Sequence, residues 1–371
     1  MLLAIRRVFS RRQEQPDGNE QQGICLLPWL SLADPVAFAG VRLERWSSIR
    51  GGLPGNVRAT ADLVVSGFRD SADNVVDPAV CWFVEREPTA PISEEGAEAL
   101  RERVFLLALA GIASNRYLSH RPQVNATHFA RVYQNFTPGT ETIALIRRRR
   151  DGRTISAGHQ LAQLRFPAPA AAAERTTPSF DQPFLDALAT CIDANDDTSV
   201  VIRQSLPLLI QGSELDEFVT HGQDVVWIAS AIEQLCDVSG RNKDTQMATK
   251  LADLLGGDWT DEQKRVVRRW MREFYAKRSE IHGEEATTDR WPYWAHALIG
   301  TVVYIAVIKH LLADAGRLAL TERDRDDAAG LPHRIGCLIE ADTRPQEDFA
   351  RCWHEGQYEG AIRRIFRRFG L

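Results

Sequence analysis

Arg278 and His282 are the residues of this sequence whose types and spacing best suit a chemical reaction. They lie four positions apart in the stretch FYAKRSEIHG (274–283), so on a helix they share one face. Arginine is a permanent cation whose planar fork fits phosphate, and histidine takes or gives a proton near neutral pH. Such a pair supplies what metal-free phosphodiester cleavage requires: one group transfers the proton of a ribose 2′-hydroxyl or of the leaving oxygen, and the other stabilises charge on phosphorus. In the alternative interpretation the helix simply ends here, with the cation matching its dipole and Gly283 at its C-cap.

This pair lies at the end of a long predicted helix. Thr260 and Gln263 form the sequence pattern of a capping box, which predicts where the helix begins. A stripe of apolar residues predicts the face that packs into the core, and its members are Val266, Trp270, Phe274 and Ile281. Further apolar-periodic segments predict helices at 184–192, 200–210, 224–236, 245–255, 291–313 and 348–369. The sequence after residue 180 is therefore predicted to be all helical.

Together with its neighbours, this helix resembles a known family. FYAKRSEIHG, the upstream segments AIEQL (231–235) and TKLADLLGGD (249–258), and the apolar helix after the histidine follow the order seen in the HEPN superfamily, in particular its Apea-like branch. The resemblance covers about 224–312 and not the first half of the chain. It implies a helical bundle that forms a homodimer, brings two arginine–histidine sites into one cleft and cleaves RNA without a metal, often in phage defence or stress-induced growth arrest.

The resemblance also implies roles for individual side chains. His282 is the expected general acid/base, and Arg278 is expected to bind the scissile phosphate or to stabilise the transition state. Glu233 and Ser279 are expected to orient this pair through hydrogen bonds, and Lys277 to assist or replace Arg278. The family usually places four to six residues between arginine and histidine, whereas three separate Arg278 from His282 and four separate Lys277 from it. Either Arg278 acts with a different reach, or Lys277 takes over part of its role, or the fold remains without the chemistry.

Two basic segments are candidates for RNA contact. Between residues 260 and 283 seven Lys and Arg stand against four Asp and Glu, so this helix has an excess of positive charge that attracts a phosphate backbone. Its candidate RNA-binding residues are Arg265, Arg268, Arg269 and Arg272. The second segment is an arginine run beside a predicted hairpin turn, Arg147, Arg148, Arg149 and Arg150. A solvated helix face and a charged strand edge that discourages aggregation are the alternatives for the two segments.

The first half of the chain carries strand signals. Segments rich in β-formers between Gly, Pro and Asp predict strands at 36–46, 59–68, 79–86, 128–135, 142–149 and 159–166. Ser93 predicts the N-cap of one helix among them, and an Asp-Gly turn predicts that the last two strands form a hairpin. Segment 167–179 has the composition of a linker. The predicted fold class is therefore α+β: a β-rich domain at 1–166 that senses a trigger or selects RNA, and a helical HEPN-like domain at 180–371.

Composition excludes several other classes of protein. The net charge of −5 does not indicate a globally basic nucleic-acid binder, and six scattered cysteines favour a reducing cytoplasm. The N-terminus lacks the order of a secretory signal, and the apolar run 297–308 is too short to cross a bilayer. The sequence has no GxxxxGK[ST], GxGxxG or GxSxG motif and no histidine–carboxylate spacing typical of a metal site. No cofactor and no metal are therefore expected.

Two functions of different classes follow from these observations. The first is a metal-independent endoribonuclease of HEPN type, a cytoplasmic homodimer that acts on RNA and responds to a phage or host trigger. The second is a non-catalytic dimeric scaffold that binds RNA, a nucleotide or a protein with the same helical fold, and the short spacing between Arg278 and His282 favours it.

Overall fold

The computed structural model describes residues 21–115, 124–148, 154–169, 177–213, 221–281 and 293–340, which form a mixed α/β structure. A small antiparallel sheet lies near the N-terminus, with strand order β2-β3-β5-β1-β6. Its strands are β1 (Gln22–Leu27), β2 (Val36–Phe38), β3 (Val41–Arg45), β5 (Ala79–Phe83) and β6 (Val132–Phe136). Two further strand pairs are β4 (Phe68–Arg69) with β9 (Phe166–Pro167), and the antiparallel hairpin β7 (Thr142–Arg148) with β8 (Thr154–Gln160).

Ten α-helices are present in the described part of the chain. They are α1 (Trp46–Ile49), α2 (Gly55–Val65), α3 (Glu94–Asn115), α4 (Gln182–Ala189), α5 (Asp197–Gly212), α6 (His221–Leu235), α7 (Lys243–Leu255), α8 (Asp261–Ile281), α9 (Tyr293–Asp314) and α10 (Glu322–Glu340). The predicted helices at 184–192, 200–210, 224–236, 245–255 and 291–313 are thereby confirmed, while 348–369 lies outside the described residues.

The sheet is buried on both faces at β1, which explains its uninterrupted apolar run. Cys25 and Leu27 belong to one apolar cluster together with Leu107 of α3. Ile24 and Leu26 belong to a second cluster together with Ala61 of α2. Because successive side chains of a strand point to opposite faces, α3 and α2 cover the two sides of the sheet.

The structure corrects two strand predictions in the first part of the chain: the segment 36–46 contains a hairpin of the two strands β2 and β3, and residues 59–68 lie mostly in helix α2. Its buried residues include Val57, Ala61, Val64 and Val65, a spacing of four, three and one that places them on one helical face. The β-branched valines suggested a strand, but their period is that of a helix and they pack as one. The predicted hairpin is confirmed, with Thr142 paired to Gln160. The predicted bounds of its second strand, 159–166, are wrong, because β8 already ends at Gln160 and Leu161–Gln163 form a short 3-10 helix.

The predicted starts of two helices are confirmed by their capping hydrogen bonds. Ser93 Oγ accepts from the amide of Gly96 at 3.0 Å at the start of α3. Thr260 and Gln263 form the reciprocal capping box of α8, with distances of 2.7 and 3.3 Å. Within α8, Trp270 and Phe274 are fully buried and their rings stack with centroids 5.0 Å apart.

Helix α6 lies at the centre of the helical region and contacts α5, α8 and α9. Gly300 on α9 allows this packing, because a Cβ there would meet Ile228 at 2.8 Å and Phe274 at 3.0 Å. The absence of a side chain at this position therefore brings α9 close to both α6 and α8. These contacts fix the relative positions of the helices that carry the predicted site.

The apolar core continues across the predicted domain boundary. One cluster includes Leu107 of α3 as well as Phe184 and Ile202 of the helices that follow the predicted linker. Within that linker, residues 170–176 lie outside the described residues. The division into two domains stays a prediction.

No helix in the described ranges combines the length and the apolar character that a membrane crossing requires.

Candidate active site

Arg278 lies on the face of α8 that packs against the rest of the helical region. It follows the fully buried Met271 by seven residues and Phe274 by four, so the three share one stripe of the helix. This stripe faces the helices that α8 packs against, among them α6. Arg278 therefore reaches the carboxylate of Glu233 near the end of α6.

Four further contacts link Arg278 and Glu233 into a larger cluster. Arg278 Nη1 donates a hydrogen bond of 2.7 Å to the hydroxyl of Tyr275, and the guanidinium lies 5.0 Å from the centre of that ring. The Tyr275 hydroxyl donates a long bond of 3.4 Å to Glu233 Oε2, which is 3.5 Å from Arg278 Nη1. Lys243 Nζ contacts the other oxygen, Glu233 Oε1. We call Glu233, Lys243, Tyr275 and Arg278 the Glu233 network.

The turn between α6 and α7 brings Lys243 to Glu233. Asp237, Gly240 and Asn242 all have positive φ angles, of 44°, 80° and 58°. Glycine adopts this conformation at little cost, and Asp and Asn tolerate it better than most residues. The tight reversal lets α7 begin at Lys243, beside the carboxylate that precedes the turn.

The Glu233 network is partly buried and has an excess positive charge. The side chains of Glu233, Arg278 and Lys243 are 15%, 23% and 29% exposed, so the cluster is shielded but still open to solvent. The pKa of the Tyr275 phenol is raised above its ordinary value, chiefly by burial. Glu233 also raises it, and the cations Arg278 and Lys243 partly offset the rise. The phenol therefore stays neutral at physiological pH, and two cations face one carboxylate.

Arg278 retains capacity for another ligand. Among the described contacts, its hydrogen bond and its ion pair both use Nη1, and the buried Nε has no hydrogen-bond partner. A guanidinium binds phosphate best through two parallel N–H groups. Nη1 of Arg278 is thus held by the protein and Nε is buried, so Nη2, which has no described contact, is the donor left for an anion.

The other predicted members of the catalytic set cannot be compared with this geometry. His282 lies outside the described residues. Lys277 and Ser279 lie within α8, but their side chains fall outside the described part of the structure. Their expected roles stay predictions.

The basic residues on α8 lie on a different side of the helix from Arg278. Arg265, Arg269 and Arg272 are exposed and spaced by four and three residues, so they form a stripe away from the buried face. Arg265 pairs with Glu262, and Arg268 is half-buried. The structure therefore does not place the exposed stripe in the Glu233 network. Their predicted contact with RNA is untested.

The second basic segment lies at the β7–β8 hairpin. Arg147 and Arg148 are the last two residues of β7, so they lie on a strand, as the alternative of a charged strand edge requires. Their side chains fall outside the described part of the structure. Arg149 and Arg150 lie outside the described residues altogether. The described residues of this segment therefore test neither the predicted RNA contact nor the alternative of a charged strand edge that discourages aggregation.

Sequence reasoning missed two members of the network, Lys243 and Tyr275. The sequence could have indicated Tyr275, because this residue precedes Arg278 by three positions and shares its helical face. Lys243 is ten residues from Glu233, and its approach depends on the turn between α6 and α7. No spacing rule for a single helix predicts that contact.

In the described ranges, no group of three or more His, Cys, Asp or Glu side chains has an arrangement that could hold a metal ion. Comparisons of the chain with protein-family models, with curated proteins and with solved structures found no match. What the Glu233 network does must therefore be inferred from its own residues.

Proposed function

We propose that this protein is a metal-independent endoribonuclease of HEPN type whose active site is built around Arg278 and His282. The observation that carries the proposal is the Glu233 network, which holds Arg278 in a partly buried position, at 23% exposure, with part of its donor fork still available. His282 follows by four residues in the sequence. A fixed guanidinium beside a titratable imidazole suits phosphoryl chemistry.

In the proposed reaction the ribose 2′-hydroxyl attacks the adjacent phosphorus and the bond to the 5′ oxygen breaks. His282 accepts the proton of the 2′-hydroxyl or donates one to the leaving oxygen. Arg278 binds the phosphate and stabilises the negative charge that grows on its oxygens. Glu233 and Tyr275 hold the guanidinium, and Lys277 and Ser279 keep the auxiliary and orienting roles that the family resemblance implies.

The remaining expectations of the resemblance belong to the same proposal. Helices α6, α7, α8 and α9 are the candidates for the HEPN bundle, and a homodimer would bring two sites into one cleft. RNA is the proposed substrate. Phage defence or stress-induced growth arrest in the cytoplasm is the proposed setting, with a phage or host component as the trigger.

A non-catalytic scaffold is the second candidate, and one observation favours it. Only three residues separate Arg278 from His282, and Arg278 already contacts Tyr275 and Glu233. In this candidate Arg278 binds a phosphate-bearing ligand and no proton is transferred to or from it. Binding without cleavage distinguishes this candidate from the nuclease.

The experiment is cleavage of a mixed RNA pool by the purified full-length protein in excess chelator, with and without extract from infected cells. We expect His282→Ala and Arg278→Ala each to lower the rate at least about 100-fold, as expected for loss of a general acid/base or of a charge-stabilising donor. Arg58→Ala, at an exposed position on α2, is the matched control and should cleave like wild type.

Absence of cleavage by wild type under both conditions would contradict the nuclease. Cleavage that persists in both variants would contradict the assignment of the site. RNA binding without cleavage, lost in Arg278→Ala, would support the scaffold instead.

A further inference from the structure

Glu233 contacts its two cations unequally. Lys243 Nζ directly contacts Oε1, whereas Arg278 Nη1 lies 3.5 Å from Oε2. The nearest described acceptor of Arg278 is instead the neutral Tyr275 hydroxyl, at 2.7 Å. The arginine is therefore close to the carboxylate without forming the tight, two-point pair that the two groups are able to make.

This loose contact matters because a carboxylate competes with phosphate for a guanidinium. Both are anions with two oxygens spaced to accept parallel N–H bonds. If Glu233 paired fully with Arg278, the pair would be neutral and a phosphate would have to displace the carboxylate. In a partly buried site that competition is stronger than on the surface, because water screens it less.

We propose that Lys243 is a positioning residue that holds Glu233 away from a full pair with Arg278 and so keeps the guanidinium available for phosphate. Lys243 neutralises the carboxylate from the Oε1 side, and Tyr275 supplies the contact that orients the arginine. The network then has one excess positive charge, which a phosphate of the RNA backbone neutralises. This role in RNA cleavage rests on the proposed function, whereas the pairing of the three side chains does not.

The first test is steady-state RNA cleavage by Lys243→Gln and by the double variant Lys243→Gln/Glu233→Gln. We expect the single variant to raise KM about tenfold, a typical coupling within one ionic network, because Glu233 then captures Arg278. The double variant should have a lower KM than Lys243→Gln, since the competing carboxylate is gone, while its kcat should stay below that of wild type because Glu233 no longer holds the guanidinium. Lys243→Arg, which keeps the charge, should also retain activity.

Lys250→Gln is the matched control. This lysine lies on the same helix and donates to the carbonyls of Cys236 and Asp237, at 2.6 and 2.9 Å, without a described contact to Glu233. Its KM should match that of wild type. A double variant whose KM is no lower than that of Lys243→Gln would overturn the proposal, because Lys243 would then act on RNA directly or through the fold.

The second test needs no RNA. Phenylglyoxal modifies accessible arginines, and mass spectrometry of digested full-length protein gives the rate at Arg278. We expect Lys243→Gln to slow modification of Arg278 about tenfold and the double variant to restore it, because pairing with a carboxylate occupies the guanidinium. Thermal unfolding of each variant confirms that it is folded.

The two tests separate the failure of each proposal. Modification rates that change as expected, in a protein that cleaves no RNA, would support the role of Lys243 and contradict the nuclease. RNA cleavage with an Arg278 modification rate that is the same in all variants would support the nuclease and overturn the role of Lys243.

Discussion

Two of the clusters of cations and carboxylates that connect helices in the described part of the chain differ in the sign of their excess charge. Lys309 on α9 lies 2.6 Å from Asp324 on α10 and 3.5 Å from Asp181 before α4. That cluster has two acids and one cation. The Glu233 network has two cations, Lys243 and Arg278, and one acid.

Other contacts balance the excess negative charge of the Lys309 cluster, whereas no described contact balances the excess positive charge of the Glu233 network. Asp181 accepts from the amide of Phe184 at 3.2 Å, and Asp324 accepts from the amide of Thr321 at 3.0 Å. These carboxylates thus cap or begin helices, whose N-terminal dipoles favour negative charge. In the described part of the Glu233 network, no second carboxylate balances the extra cation. The Lys309 cluster is therefore complete as a structural element, whereas the Glu233 network suits an external anion.

Removal of Lys309 should lower the stability of the fold more than removal of Lys243, the corresponding cation of the Glu233 network. Its side chain is 13% exposed and that of Asp324 is 10% exposed, so Lys309→Met leaves carboxylates buried without their counter-charge. We expect the free energy of unfolding in urea to fall by about 3 kcal/mol. Lys243→Gln, at a side chain 29% exposed, should cost less than about 1 kcal/mol because Glu233 then pairs with Arg278 instead. Equal losses would contradict the division into a structural and a ligand-binding cluster.

Acid should weaken the Lys309 cluster through Asp324. Burial opposes ionisation of Asp324, but hydrogen bonds from Lys309 and Thr321 outweigh it and hold the pKa below its ordinary value. A carboxyl with a lowered folded-state pKa contributes stability above the unfolded-state pKa of about 4, and this contribution is lost as pH falls through the folded value. Urea unfolding between pH 6 and pH 3 should therefore show a flatter pH dependence for Asp324→Asn than for wild type. Identical slopes would show that Asp324 is not held by Lys309.

The smallest effect is expected at the exposed face of α8. Arg265 pairs only with Glu262 among the described contacts, and both side chains are about two-thirds exposed, at 70% and 68%. Arg265→Ala should change the free energy of unfolding by less than about 0.5 kcal/mol. Any loss of RNA affinity should be confined to low salt, because screening removes the field of an exposed charge. A loss of affinity that persists at high salt would place this arginine in direct contact with RNA.

Much of the helical region was predictable from the sequence, because its signals are local. The capping pair Thr260 and Gln263 and the buried Trp270 and Phe274 identify α8 without any tertiary information. The reciprocal bonds between Thr321 and Asp324 at the start of α10 carry the same kind of signal, but this helix was missed. Its interior contains a proline and few apolar residues, so no clear stripe indicated a helix.

The candidate site was only partly predictable, because it depends on contacts between helices. Arg278 and Glu233 were identified together through a family resemblance, and the structure brings them to 3.5 Å. The approach of Lys243 requires the turn after α6, which no periodicity encodes. The wrong strand at 59–68 has a different origin, since valines favour strands locally while their spacing buries a helical face against the sheet.

The most direct test of the account compares two arginines, each held by an ionic contact. Arg278 belongs to the Glu233 network, whereas Arg317 bonds Asp196 at 2.6 Å and Ser199 at 2.5 Å. The measurement is the single-turnover rate of RNA cleavage in excess chelator for wild type, Arg278→Ala and Arg317→Ala, each below its own unfolding temperature. We expect a loss of at least about 100-fold for Arg278→Ala and a wild-type rate for Arg317→Ala. A wild-type rate for Arg278→Ala, or equal losses in both variants, would contradict a phosphate-binding role for the Glu233 network.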